Sequence, residues 1–492
     1  MQNLVRASGR RVWYLNDPIE DDPNHDWDDY RFNWESTLTA SLFQPEVWHY
    51  ETMPWPQRIF NGKYPVKSAV AERPIEDAEQ APTGTGLGGV LKARSDVERV
   101  GIPKAYETEL QAVIHALGEM KQTAVRWERS GTAGTGVLVS DTMMFQRAAP
   151  KPSDASLGSF YGLAMPLLKR GLPVEAVQIE NVTAADVLRP YRLLLLTYEG
   201  QKPPTLEFHK ALAQWVRDGG ALVAMDDDTD PYSAVREWWN TTPLAYRTPR
   251  QHLFEQLGMA RDAVGLHRVG RGVVVSERVS PAALSYRADG GTTVRVAAQR
   301  AAAAIGLEWR EADALVLRRG PYVIAAGLDE SVPEATGYSL HGQFIDLFDA
   351  NLPVLHDVQI AAGKRFLLYD LDAAGKSAPH LVAAACRVRN ERLSGASLTF
   401  QTDGVAGSEA VVRCTLKSAP VQVSIDGKPV GDTLYDAASH TLLLRFLNGT
   451  SPGRSRSGFR GAFARRAMIG DRRQVRLTEQ HEMLAQFADD DL

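Results

Sequence analysis

A multidomain α/β protein ending in a β-sandwich is the fold class that the sequence predicts. A partial (β/α)8-type barrel unit takes residues 1–125, a doubly wound α/β domain 131–335, a sandwich 336–450 and a poorly ordered tail 451–492. Three observations predict it. Apolar runs such as LLLL and ALVAM alternate with helical patterns between residues 137 and 225, the mark of parallel strands buried on both faces. Short runs of β-formers broken by Gly, Asp and Pro fill most of the chain from residue 272 onward. Near the N-terminus, strand, acidic loop, helix and strand follow one another, which makes one βαβ unit.

At 492 residues the chain is long enough for about three domains. A net charge of -5 and a pI near 6.2 give no basic face for nucleic acid. Cys386 and Cys414 are the two cysteines, far apart and without metal-ligand spacing; they read as buried hydrophobes or as a pair. The N-terminus lacks an apolar signal core, and no later run reaches the roughly 18 apolar residues of a membrane span. A cytoplasmic protein with no membrane or nucleic-acid partner is expected, with no cofactor and no metal site.

The first element is the run RVWYL at residues 11–15, a strand closed by the turn Asn16-Asp17-Pro18. Asp26 is placed to cap a helix over 27–43, whose apolar positions recur at Tyr30, Trp34, Leu38 and Leu42. The stretch PEVWHYETMPWP at 45–56 alternates as a strand and then breaks at Pro54 and Pro56. This puts Asp17 and Glu51 at the ends of parallel strands, on one edge of a sheet. Trp48, Tyr50 and Trp55 beside Glu51 are ring surfaces of the kind on which sugars stack. A buried strand end with Glu51 paired to Arg58 is the competing structural reading.

Residues 59–102 hold the glycine-rich TGTGLGG at 83–89, which lacks the Lys-Ser/Thr of a phosphate loop and reads as a loop. Pro103 opens a helix over 104–122, taken as the last outer helix of the first unit. Strands at 137–140, 174–179, 193–198 and 221–225 and helices at 157–170 and 206–217 then build the open doubly wound sheet. Ligands of such sheets sit beyond the strand C-termini, here near Asp141, Tyr198 and Asp226 to Asp228. The three aspartates read as a cation site or, more commonly, as a solvated cluster. Helical signals recur at 235–240 and 249–258. Later runs, among them TVRVAA, read as strands, and VQVSIDGKPV at 421–430 is the best hairpin signal in the chain.

Taken together, WYLNDPIED at 13–21, WHYETMPWPQRIF at 48–60 and the long run from Tyr191 to Asp228 resemble the C-terminal portion of a multidomain glycoside hydrolase related to β-galactosidases. The last stretch resembles the trimerisation domain of those enzymes, a flavodoxin-like, class I glutamine-amidotransferase-like fold. The resemblance implies carbohydrate as substrate or ligand, a homo-oligomer through the middle domain, and Glu51 as candidate nucleophile. Asp17 and Glu20, from the neighbouring strand end, are candidates for the acid/base or else loop acids lining a sugar pocket or a helix N-terminus, with Trp13, Trp48, Tyr50, Trp55 and Arg58 as the substrate-binding set. Amidotransfer itself is set aside, since neither cysteine lies in that domain.

A retaining glycosidase needs two carboxylates about 5 Å apart. A whole barrel takes about 250 residues, whereas about 120 precede the middle domain here, so the family's acid/base strand has no counterpart. Three readings stay open: a truncated glycosidase-like chain, a hydrolase completed by another subunit, and a non-catalytic carbohydrate-binding or assembly protein. His25, His49, His115 and His209 do not fall at zinc-ligand spacing, and there is no G-x-S-x-G elbow.

Overall fold

The computed structural model describes residues 5, 7–17, 25–52, 56–66, 98–122, 124–145, 157–329, 335–374, 379–395, 397–449 and 472–479; the side chains of 56–58, 144 and 145 lie outside that set. The described residues form a mixed α/β protein of several sheets that ends in a β-sandwich.

The first unit is β1 (Trp13–Asn16), α1 (Trp27–Leu42) and β2 (His49–Thr52). The Asp26 carboxylate accepts from the backbone N–H groups of Asp28 and Asp29, both at 2.9 Å, which fixes where α1 begins. Tyr30, Trp34, Leu38 and Leu42 recur every fourth residue and are all buried. The helix returns the chain so that β2 lies parallel to β1, with Trp13 opposite His49 and Leu15 opposite Glu51. Among the described residues this sheet has two strands and no barrel closes.

The expected outer helix, Lys104–Glu119, has a different neighbour. Its Leu110, Val113 and Leu117 share one core with α1 and with Ile324, Leu367 and Val411 of later sheets. Ten of its residues are buried, and its polar ones are met by polar partners, Glu109 by Arg31 and Gln111 by Ser408.

The doubly wound sheet runs in the order Gly265–Val269, Gly272–Glu277, Ala221–Met225, Leu193–Leu196, Thr135–Val139, Val174–Gln178, parallel except for its first strand. Alternate residues of each strand face opposite layers. Leu193 and Leu195 pack with Leu163 and Val294, whereas Leu194 and Leu196 pack with Phe208 and Leu253. Helices therefore cover both faces. Helix Leu206–Arg217 ends as expected at the glycine pair, where Gly219 takes φ +119°.

Four expectations change. TVRVAA belongs to helix Gly290–Ala304, because Val294, Ala297, Ala298, Ala301 and Ala302 form one buried stripe. Residues 235–240 form no helix; the Asn240 side chain accepts from Glu237 N at 2.8 Å and donates to Val235 O at 2.7 Å, taking the place of helical bonds. Strands Ala314–Arg319 and Tyr322–Gly327, assigned by sequence to the middle domain, lie in an antiparallel sheet with Val125–Arg129, Tyr338–Asp346, Val354–Ile360 and Arg365–Asp370. Finally, part of the expected tail is a strand. Arg473–Glu479 sits between Ser397–Asp403 and Pro420–Ile425 and buries Val475 and Leu477 completely, since its apolar residues alternate toward the sandwich core. The rest of that tail lies outside the described residues.

The sandwich packs this five-stranded sheet on a four-stranded one around Phe400, Val412 and Leu444. Its hairpin turns at Asp426 (φ 51°) and Gly427 (φ 76°), the two left-handed residues of a type I′ turn.

Candidate functional site

Parallel pairing brings the C-terminal ends of β1 and β2 to one edge, as expected. A cleft of about 170 Å³ opens there between the end of β1 and the flank of α1. Tyr14, Leu15 and Asn16 of β1 line it with Asp17 just beyond the strand, and Tyr30, Asn33, Trp34 and Thr37 line it from α1. Its helical residues fall at i, i+3, i+4 and i+7, so one face of α1 supplies them all. Among the described residues no lysine or arginine lines the cleft, and Asp17 is the one acid that does.

Asn16 closes β1 and is 3 % exposed. Its amide nitrogen donates to the Thr37 hydroxyl at 3.4 Å, while its Oδ1 is buried with no hydrogen-bond partner. Trp34 is 2 % exposed; its ring meets Tyr106 edge-on at 6.3 Å, and its indole N–H likewise has no partner. Each such orphan costs about 1–3 kcal/mol when nothing answers it. Both atoms are closed off from solvent, so they are unanswered polar atoms inside the packing of β1 and α1.

The other sequence candidates are distributed differently. Strand alternation turns Glu51 and His49 outward together with Trp13 and Leu15, away from the core. Glu51 is exposed and Trp13 is 64 % exposed, its ring 5.1 Å from that of His49. The Trp48 ring lies 3.6 Å from that of His49, tilted by 34°, beneath the Arg11 guanidinium. Tyr50 points the other way: it packs on the core and shares a hydrogen bond with Ser41 Oγ at 3.2 Å, and burial pushes its phenol up to about 12. Asp17 thus lines the cleft while Glu51 does not. Glu20, Trp55 and the Arg58 side chain lie outside the described residues.

Sequence reasoning named Asp17 but missed Asn16, Asn33, Trp34 and Thr37 as lining residues. The signal available was the pair of polar residues Asn33 and Thr37 flanking the Trp34 position of an otherwise apolar stripe.

The strand ends of the doubly wound sheet carry a second polar cluster whose carboxylates are answered from within it, although Arg250 Nη1 is buried without a partner. Asp226 accepts from Tyr198 N at 2.9 Å and Asp228 N at 2.7 Å, and burial raises its carboxyl to about 6. Burial works to raise Asp228 as well, but the hydrogen bond and charge of Arg250, with Arg278, more than offset it and hold the carboxyl low. Asp227 accepts from Thr229. Glu199, raised to about 7 by burial, takes bonds from Ser280 Oγ at 2.7 Å and Ala282 N at 3.1 Å. His209 is enclosed by Tyr198 at 2.6 Å and His252 at 2.7 Å. Among the described residues no group of three His, Cys, Asp or Glu side chains is placed to hold a metal ion, and no helix is long and apolar enough to cross a membrane. Both cysteines are free thiols buried in the sandwich core.

No family model matches the chain, and no curated protein matches it. Among solved structures it aligns with a rhamnosidase from Novosphingobium sp. PP1Y at 12% identity, covering 76% of this chain and 36% of that one, with a TM-score of 0.27. The chain thus spans about a third of that enzyme's length. A superposition at that score carries neither fold nor activity.

Proposed function

We propose that the chain is a glycoside-hydrolase-like protein that acts on or binds carbohydrate, with a sugar ring seated in the cleft beyond β1. The observation that carries this reading is the lining itself: one carboxylate, two side-chain amides, a threonine hydroxyl, three aromatic residues and a leucine at the C-terminal end of a parallel strand. Sugars are recognised by that mixture, since amides and carboxylates take their hydroxyl groups and rings cover their C–H faces. The size suits a single small polar ligand rather than a long chain. For hydrolysis, Asp17 supplies one carboxyl group in the cleft, and the mechanism requires a second.

A non-catalytic carbohydrate-binding or assembly protein is the second reading. It is favoured by the placement of Asp17 in the cleft and Glu51 on the outward face of β2. In it, the middle domain makes a homo-oligomer.

Hydrolysis of a panel of nitrophenyl glycosides by the purified chain, with Asp17→Asn and Glu51→Gln alongside, separates the two. Turnover abolished by Asp17→Asn supports the hydrolase. Sugar binding without turnover, lost in the same variant, supports the binding protein. A folded chain that neither binds nor cleaves any sugar contradicts both.

A further inference from the structure

The outer face of the sandwich's five-stranded sheet gathers exposed arginines from two of its strands. Val388, Phe400 and Val475 turn into the core, so the residues alternating with them point outward. Register lays these out in rows. Arg387 stands opposite Asp403, Arg389 opposite Gln401 and Arg392 opposite Thr399, while Gln401 and Thr399 stand opposite Gln474 and Arg476 on the next strand. A bulge keeps the rows together. Arg392 lies an odd step beyond Arg389 and would turn inward in a regular strand, but the register shift at Asn390, which takes φ 52°, returns it to the arginine face.

Charge on this face is unbalanced. Arg387, Arg389 and Arg472 converge on the Asp403 carboxylate at 3.9, 3.0 and 3.9 Å. One carboxylate offsets one of those three charges, and the exposed Arg392 and Arg476 add two more, Arg476 donating to the Ser397 hydroxyl at 3.1 Å. Asp403 is the one acid among these outward positions, on a chain whose net charge is -5. We infer that the face is a binding surface separate from the cleft beyond β1, and that it holds the carboxylate groups of an acidic polysaccharide, a chain of uronate residues.

The guanidinium fork grips a carboxylate through two parallel hydrogen bonds. Outward side chains repeat about every 7 Å along a strand and about every 5 Å across the sheet, so a repeating polyanion meets several of them at once. Gln401, Gln474 and Thr399 stand between the arginines and can exchange hydrogen bonds with sugar hydroxyl groups. These outward positions include no aromatic ring on which the bases of a single-stranded nucleic acid could stack, and a flat sheet face puts no element into the groove of a duplex. An acidic peptide brings the carboxylates without the hydroxyl groups.

The test is isothermal titration of the full chain with polygalacturonate, dextran, polyglutamate and an oligothymidylate at low and at physiological salt. It is repeated on two face variants, Arg387→Gln with Arg389→Gln and Arg392→Gln, and Arg472→Gln with Arg476→Gln. Near-ultraviolet circular dichroism shows that each is folded, and the pair stands if the triple variant does not fold. Arg189→Gln with Arg271→Gln, at exposed arginines of the doubly wound domain, removes as much charge as the pair elsewhere on the chain. The expected result is binding of polygalacturonate but not of dextran, loosened by salt. Affinity falls by about tenfold or more in each face variant and is unchanged in the control. Binding that both face variants retain, or polyglutamate or oligothymidylate bound as tightly as polygalacturonate, overturns the inference. So does a folded chain that binds no polygalacturonate. Binding that appears only once Asp489, Asp490 and Asp491 are replaced by asparagine assigns the face to the chain's own acidic end and likewise overturns it. None of these results bears on the cleft, which the glycoside panel tests.

Discussion

The side-chain amide of Asn16, at the last position of β1, is tied to the Thr37 hydroxyl of α1, and its own oxygen faces no donor in the protein. Asn16→Leu removes one long hydrogen bond and one buried orphan, two effects of opposite sign and similar size. Stability in urea should change by less than about 1 kcal/mol, although sugar binding falls. A loss several times larger would show that Asn16 holds the strand and helix together instead.

Arg319 is fully buried, and its guanidinium donates to Gln122 O at 2.9 Å, Val47 O at 2.9 Å and Leu42 O at 3.4 Å. It thereby fastens the C-terminal end of α1 and the approach to β2 onto strand Ala314–Arg319. Arg319→Met strands these carbonyls without a donor, and we expect a loss of roughly 2–4 kcal/mol in urea unfolding. Lysine should not restore it, because one ammonium group cannot match the planar fork.

Glu109 is buried beside Glu35, and both carboxylates bond the Arg31 guanidinium, at 2.8 and 2.9 Å. Burial first and then the Glu35 charge raise the Glu109 carboxyl well above the usual carboxylate range, against the opposing pull of Arg31. The folded state therefore keeps a proton that the unfolded chain gives up. This contribution is whole below the ordinary glutamate pKa and shrinks as pH climbs toward the folded value. Urea midpoints should fall between pH 6 and 9, and Glu109→Gln should flatten that decline. An unchanged slope would show that Glu109 is ionised in the fold.

Cys386 and Cys414 lie in one core with Phe400 and Val412, and burial pushes both thiols up. Reactivity follows thiolate fraction and access. A thiol reagent should thus titrate neither cysteine in the native protein and both after denaturation. Rapid native labelling would mean that the sandwich opens easily.

Much of the fold was legible because its signals are local. The Asp26 cap, the four-residue stripe of α1 and the uninterrupted LLLL run need only their own neighbours to be read. What was missed depends on distant partners. Strands Ala314–Arg319 and Tyr322–Gly327 look alike in either sheet, and only the pairing with Val125–Arg129 and Arg365–Asp370 assigns them. Strand Arg473–Glu479 hid behind an Arg-, Gly- and Ser-rich stretch although Val475 and Leu477 alternate correctly. At the site, Asp17 could be named because acids at strand ends are visible in sequence. The free atoms of Asn16 and Trp34 could not, since whether a buried polar atom finds a partner is decided by tertiary packing alone.

The most direct measurement is saturation-transfer NMR on the native chain with a mixture of neutral monosaccharides, repeated on Asn16→Leu. A sugar site in the cleft predicts transfer to the ring protons of at least one sugar and its loss in the variant. No transfer to any sugar from the folded protein, or transfer that Asn16→Leu leaves untouched, would contradict it.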